Sequence, residues 1–327
     1  MAGLGPGILV VALPLRGGFA SAHELLTAGR LLADALEEPL SAVLLGGHLS
    51  SQAQELIERG AERVIIIEHE LLSKPNEELQ AAALAQTCKD RFGKFLFPST
   101  VAGRSLAARL SVSLKAGIAT DVFELSAEGG ELRAKRAGYG GNVIGEIAFA
   151  SSCCVLTLQG MVWPPAPRTP GKTGAIDRAA LSPGPTRTEF VSFNGQDAGE
   201  VDLGSADLVV SGGRGVGSAD GFKVIRETAQ GLGAAVGASR AAVDSGWMPY
   251  RCQVGLTGRT IRPKVYMACG ISGQIQHLAG MSSSKNIVAV NTDPDCPMMK
   301  AATLSVVGDL HEVLPLVAAE VRKRRGT

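Results

Sequence analysis

Short apolar runs alternate with longer amphipathic segments over the first 120 residues of the chain. The runs are rich in Val, Ile, Leu and Phe, and they have the length of buried strands. They lie at residues 8–13, 41–45, 63–67 and 95–98. Helical spacing of apolar residues marks residues 21–36, 52–59, 76–88 and a segment beginning near Gly103. This alternation predicts a parallel sheet with right-handed crossovers.

The pattern changes between residues 121 and 159, where short strands surround the glycine-rich residues 138–142. We expect an added antiparallel hairpin there. Residues 163–171 and 182–185 are rich in proline and predict a linker of extended, polyproline-like chain. We therefore predict an N-terminal domain over residues 1–190, including the linker from about residue 163, and a C-terminal domain over residues 205–327.

Strand and helix patterns resume after the linker. Predicted strands occupy residues 206–210, 233–237, 264–268, 286–290 and 304–307, with helices at 221–231, up to about Leu278, and 310–325. The sequence thus predicts the α/β class, with two doubly wound parallel-sheet domains, of which the C-terminal one is smaller. Ligands of such sheets bind outside the carboxyl ends of the strands.

Composition and charge narrow the possible functions. A net charge of +1 argues against a nucleic-acid footprint, and the basic residues 322–325 are typical of a solvated helix end. Six cysteines form no C-x-x-C pair and are expected to be buried free thiols, and five histidines show no metal-ligand spacing. The apolar run at residues 8–15 is too short for a membrane span and lacks a basic start, so we expect a soluble, intracellular protein.

Four turns at predicted strand ends concentrate Gly, Ser, Thr and Asn. They lie at residues 211–218, 237–240, 269–277 and 291–295. Each has an ordinary alternative: a plain tight turn, a Ser239 helix cap beside a surface Arg240, or a His277 that is merely hydrogen-bonded or exposed. Together they would bring Arg214, Arg240 and His277 to one crevice without a nucleophile–base pair or a metal cluster. This combination favours a large anionic cofactor over hydrolysis.

These turns resemble the alpha subunits of electron transfer flavoproteins. The matching residues are 211–215, 237–244, 262–266, 270–281 and 287–291, and in the first domain 68–72, 97–100, 103–104, 119–121 and 138–142. The resemblance covers nearly the whole chain. It implies that the C-terminal domain is a DHS-like domain that binds one FAD.

The resemblance also implies which residues contact FAD. They are Arg214, Ser239, Arg240, Val254, Gly255, Leu256, Thr257, Ser272, Gly273, Gln274, Ile275, Gln276, His277, Asn291, Asp309 and Leu310. Thr257 would hydrogen-bond flavin N5, Arg240 and His277 would place positive charge near the N1/O2 end, and Asp309 would serve the ribose or adenine. Two departures stand out: Leu256 replaces the usual Gln, and residues 153–155 and those after them lack the usual Arg-Pro pattern.

The family further implies an electron carrier with no substrate of its own. We expect a heterodimer with a beta subunit, acyl-CoA or related dehydrogenases as electron donors in fatty acid β-oxidation, and a quinone oxidoreductase as acceptor. The alternatives are a bifurcating complex, with a second FAD and NADH as donor, and a nucleotide-binding scaffold without redox chemistry. The expected location is the cytoplasm, or the mitochondrial matrix for a eukaryotic chain.

Overall fold

The computed structural model describes residues 7–14, 18–47, 49–139, 143–192, 202–204 and 206–325. The chain divides into two units, one of residues 1–137 and 144–194 and the other of residues 138–143 and 195–327. Most of the predicted boundary between residues 190 and 205, and residues 140–142 of the glycine-rich motif, lie outside the described residues.

A nine-stranded sheet forms the centre of the first unit. Its strands are β1 (Ile8–Ala12), β2 (Leu40–Gly46), β3 (Arg63–Glu68), β4 (Lys94–Pro98), β5 (Gly117–Glu128), β6 (Glu131–Gly138), β7 (Val143–Ala148), β8 (Cys154–Leu158) and β9 (Ala175–Ala179). Their order is β7-β6-β5-β8-β4-β1-β2-β3-β9. Along this order, neighbouring strands from β5 to β9 pair in parallel, whereas β5 and β6 are antiparallel. Both the parallel sheet and the added hairpin are therefore confirmed.

The α-helices among the described residues of this unit are α1 (Ala20–Leu36), α2 (Ser50–Glu58), α3 (Glu77–Cys88) and α4 (Val101–Leu114). Each strand of the central pair, β1 and β2, is buried along its whole length. Alternate residues enter two cores, with Ile8 and Val10 on one face and Leu9 and Val11 on the other. A strand covered by helices on both faces has to be apolar throughout, which is why these runs read as continuous hydrophobic stretches.

The beginning of the proline-rich segment, at residues 163–168, packs against the first unit. Trp163 and Ala166 are buried in the core, and Arg168 pairs with Glu58 of α2 at 2.6 Å. After these prolines the chain forms β9, which adds to the edge of the sheet in parallel with β3. The sequence does not predict β9, because its residues are mostly exposed and show no strong apolar run. Its place is set by pairing with a distant strand.

The second unit contains a five-stranded parallel sheet. Its strands are β10 (Leu208–Gly212), β11 (Ala235–Ala238), β12 (Val265–Cys269), β13 (Asn286–Asn291) and β14 (Leu304–Val307). Its helices are α5 (Phe222–Leu232), α6 (Arg240–Asp244), α7 (Ile275–Leu278), α8 (Pro297–Ala301) and α9 (Leu310–Arg325). The strand order is β11-β10-β12-β13-β14, so the chain passes from β10 to one side of the sheet for β11 and then to the other side for β12. The switch point lies between β10 and β12. A doubly wound sheet offers its binding crevice at this point, and the predicted fold class is confirmed.

Candidate functional site

The loops that follow β10 and β12 contact each other backbone to backbone at the switch point. Gly213 N donates to Cys269 O at 2.9 Å, and Gly215 N donates to Gly270 O at 3.0 Å. A Cβ added at Gly215 would lie 2.8 Å from the Cα of Gly270, closer than real side chains approach. These two loops therefore require glycine, and Arg214, which lies between Gly213 and Gly215 in sequence, is exposed.

The end of β11 has the local features that the ordinary alternative predicted. Ser239 caps α6, since its Oγ accepts a hydrogen bond from Ala242 N at 3.4 Å. The side chain of Arg240 is 67% exposed, and its Nε lies 3.2 Å from a carboxylate oxygen of Asp244. An exposed guanidinium in a weak surface pair can turn toward an anionic ligand at little cost. The cap and the pair are therefore compatible with a role for both residues in binding.

Residues 254–257 form a loop that is held from both sides. Val254 N donates to Ala238 O at 2.9 Å, and Leu256 N donates to Gln276 O at 2.7 Å. Gly255 adopts a φ of 143°, which favours glycine. These bonds fix the backbone and leave the Leu256 side chain 62% exposed.

The Thr257 hydroxyl has one hydrogen bond among the residues that the structure describes. Its Oγ1 accepts from Gln253 Nε2 at 3.0 Å, while the Thr257 carbonyl accepts from the Tyr250 hydroxyl at 2.5 Å. Because Oγ1 acts as an acceptor there, its proton is left to donate elsewhere. The hydroxyl thus keeps a proton to donate, and its contact with flavin N5 stays a prediction.

The segment from Ser272 to His277 has a polar, exposed start and a buried end. Ser272, Gln274, Ile275 and Gln276 are exposed, whereas Gly273 turns at a φ of 82° against the backbone of Met298.

His277 is buried in the second unit. Its Nε2 lies 2.9 Å from the hydroxyl of Tyr266, and its Nδ1 makes no hydrogen bond of good geometry. Burial lowers the pKa of His277 to about 4, and the nearby backbone of Val254 opposes this only weakly. The imidazole is neutral at pH 7 in this environment. Desolvation therefore disfavours a charged His277 in the protein alone, and the positive charge beside bound FAD stays a prediction.

Three further predicted contacts lie at the ends of β13 and β14. The Asn291 amide ties two loops together, donating to Ile271 O at 3.1 Å and accepting from Asp293 N at 3.1 Å. Asp309 is exposed and accepts from His311 N at 2.8 Å at the start of α9. The Leu310 side chain is buried in the core, so only its backbone could contact a ligand.

In the first unit, the motif residues at the end of β4 form a closed polar cluster. Ser99 donates to Asp121, Asp121 N donates to Thr157 Oγ1 at 3.0 Å, and Arg104 lies 3.6 Å from the Asp121 carboxylate. Asp121 has a φ of 56°, at the irregularity where β5 leaves its register with β8. The cluster holds strand ends together and accounts for these motif residues without a ligand.

Three residues that contact the predicted site residues have no role predicted from the sequence. They are Tyr266, Gln253 and Gly280, of which Tyr266 and Gly280 lie within the matching motifs. A tyrosine inside an otherwise apolar strand is a usable signal, because a buried hydroxyl has to find a partner. Gly280 carries no such signal, since its need for glycine comes from the distant Gly255.

Other chemistry is limited in the part of the chain that the structure describes. No group of three or more His, Cys, Asp or Glu side chains there could hold a metal ion. The six cysteines are all free and buried, which confirms that prediction. None of the described helices is both long and apolar enough to cross a membrane.

Comparisons with known proteins cover both units. A family model described as the electron transfer flavoprotein domain matches residues 20–183, and one described as the electron transfer flavoprotein FAD-binding domain matches residues 202–282.

Curated relatives match over nearly the full length. The chain is 40% identical to the electron transfer flavoprotein subunit alpha of Thermoanaerobacterium thermosaccharolyticum, covering 92% of this chain and 93% of the relative. It is 36% identical to the protein of the same name from Megasphaera elsdenii, covering 98% and 97%, and 36% identical to that of Bacillus subtilis, covering 92% of each.

Proposed function

Because this chain belongs to the electron transfer flavoprotein alpha-subunit family, we propose that it is the FAD-carrying subunit of a heterodimeric electron carrier. The predicted family and the predicted cofactor are confirmed, since the second unit carries the family's FAD-binding domain. The family also implies a beta subunit as the partner. We further propose acyl-CoA or related dehydrogenases as electron donors and a quinone oxidoreductase as acceptor.

The observation that carries this proposal is the edge of the second sheet at its switch point. The connections that follow β10 and β11 carry an exposed guanidinium at Arg214, another at Arg240 and the Thr257 hydroxyl. The buried Nδ1 of His277 has no partner of good geometry there. Exposed cations, hydroxyl groups and an orphaned buried nitrogen fit a large anionic cofactor with many hydrogen-bond acceptors.

Bound FAD would supply the electron-transfer chemistry. The protein's part is to hold the cofactor and to adjust its charge environment. With His277 neutral, the positive charge that we propose near the N1/O2 end falls to Arg240, while His277 supplies a hydrogen bond. A carrier needs no acid–base pair acting on a substrate, so we propose no catalytic residue.

The test is to coexpress the chain with its beta subunit and to measure the number of flavins per heterodimer. The purified heterodimer is then titrated with a reductant under anaerobic conditions. One FAD per heterodimer, reduced by acyl-CoA only when an acyl-CoA dehydrogenase is added, is the expected result. Two FAD per heterodimer and direct reduction by NADH would instead support the bifurcating alternative. A heterodimer purified without flavin, and unable to take it up, would refute the proposed function.

A further inference from the structure

A buried tyrosine lies behind the candidate site, in the central strand of the second sheet. Tyr266, in β12, is fully buried, and its hydroxyl lies 2.9 Å from Nε2 of His277. The two rings are tilted by 51°, with centroids 6.1 Å apart. This contact has no role in the function described so far, although it is the one hydrogen bond of good geometry that the His277 ring makes within the described residues.

Both partners of this hydrogen bond are neutral. Burial raises the pKa of Tyr266, and the smaller effect of the Ser211 hydroxyl, which lowers it, does not reverse the shift. Burial also keeps His277 uncharged. A neutral imidazole has one N–H and one bare nitrogen, and a phenol can donate or accept, so the direction of this hydrogen bond shows which nitrogen carries the proton.

The buried Tyr266 hydroxyl favours one of the two tautomers. Nε2 of His277 is the one hydrogen-bond partner of good geometry that this hydroxyl has within the described residues. A buried hydroxyl proton requires an acceptor, so Nε2 is bare and the ring proton lies on Nδ1. Nε2 is then the acceptor, and the Tyr266 hydroxyl is its donor.

Ser211 extends this arrangement along the sheet. It pairs with Ala268, two residues beyond Tyr266 on β12, so both side chains lie on the same face. The Ser211 hydroxyl is fully buried and makes no hydrogen bond of good geometry within the described residues, but it is close enough to lower the pKa of the phenol. If Ser211 donates to Tyr266 and Tyr266 donates to His277, each buried hydroxyl proton has an acceptor, as buried polar groups require.

We propose that Tyr266 is a positioning residue, which donates to Nε2 of His277 and fixes the imidazole as the Nδ1–H tautomer, a hydrogen-bond donor for an acceptor atom of bound FAD. This inference rests on the proposed function for its ligand, but the tautomer is a property of the protein alone. The donor lies beside Val254, at the start of the loop that carries the proposed contact Thr257.

The direct test is nitrogen-15 NMR of the heterodimer with labelled histidine, comparing wild type with Tyr266→Phe. His277, assigned by its loss in His277→Asn, should be a single Nδ1–H tautomer in the wild type. Tyr266→Phe should lower the preference for that tautomer about fivefold, the effect of losing one buried hydrogen bond. Tyr139→Phe is the matched control, because Tyr139 is exposed, and should change nothing.

A second measurement separates positioning from general support of the fold. In His277→Asn the amide keeps a donor near the place of Nδ1, and its direction no longer depends on Tyr266. Tyr266→Phe should therefore weaken FAD binding in the wild-type background but not in the His277→Asn background.

An Nε2–H tautomer in the wild type would overturn the proposal. So would an equal loss of FAD affinity from Tyr266→Phe in both backgrounds, because Tyr266 would then act on the fold. A heterodimer that never binds FAD would refute the proposed function, while the tautomer measurement would still decide the role of Tyr266.

Discussion

Gly280 is the position at which one added methyl group should disturb the FAD loop most directly. A Cβ at Gly280 would overlap the Cα and N of Gly255 and lie 3.0 Å from its carbonyl carbon. Gly255 cannot retreat easily, because the bonds Val254 N to Ala238 O and Leu256 N to Gln276 O hold the loop on both sides. Gly280→Ala should therefore push residues 254–257 away from their position.

The expected size of the effect follows from this overlap. Ordinary van der Waals contact begins at 3.4 Å, so the backbone atoms nearest the new methyl group have to move by about 1 Å. Overpacking of this kind costs about 1–3 kcal/mol. If that strain is relieved by displacing the loop from FAD, the affinity for FAD should fall by about 5- to 150-fold, since 1.4 kcal/mol corresponds to a factor of ten.

The assay is FAD dissociation followed by flavin fluorescence in the purified heterodimer, together with thermal unfolding. Gly231→Ala is the matched control in the same unit. Gly231 lies in α5, where an added Cβ would meet only the flexible end of Arg322 at 3.3 Å. Since alanine favours a helix over glycine, this control should keep FAD affinity and gain up to about 1 kcal/mol of stability. Wild-type FAD affinity and melting temperature in Gly280→Ala would refute the reasoning.

Two further predictions concern Leu256 and Glu58. Leu256→Gln should shift the potential of the bound flavin while leaving the melting temperature unchanged, because the side chain is exposed; an unchanged potential, measured by redox titration, would show that this side chain does not face the cofactor. Hydrogen bonds from Arg168 and Gly171 N lower the pKa of Glu58 below its ordinary value of 4.5. This carboxylate therefore stabilises the first unit above pH 4.5, and the contribution is lost as the pH falls through the lowered pKa. In thermal melts the difference between wild type and Glu58→Gln should shrink on acidification, and a constant difference would contradict this linkage.

Much of the fold could be predicted from local pattern. The strands at Ile8–Ala12 and Leu304–Val307 and the helix at Leu310–Arg325 lie within a residue or two of their predicted positions. These elements are predictable because burial on a sheet or a helix face imposes its period directly on the sequence. The position of the glycine-rich turns was also predictable, because each turn follows a predicted strand and the carboxyl ends of parallel strands lie at one edge of the sheet.

The candidate site was only partly predictable. The motif residues could be named from the resemblance, but the state of His277 could not, because its neutrality comes from burial beside Tyr266 and Val254. Similarly, the sequence does not show that the Asn291 amide is hydrogen-bonded to Ile271 and Asp293, or that the Leu310 side chain lies in the core.

By itself, the sequence determined the α/β class, the family, the FAD cofactor and the loops that carry the proposed contacts. Only the tertiary structure decided that β9 completes the edge of the first sheet, that Gly280 must lack a side chain, and that His277 is a neutral imidazole held by Tyr266. The physical reason is the range of the interactions involved. Periodicity and turn chemistry act between neighbours in sequence, whereas strand pairing, close packing and desolvation depend on residues that only the fold brings together.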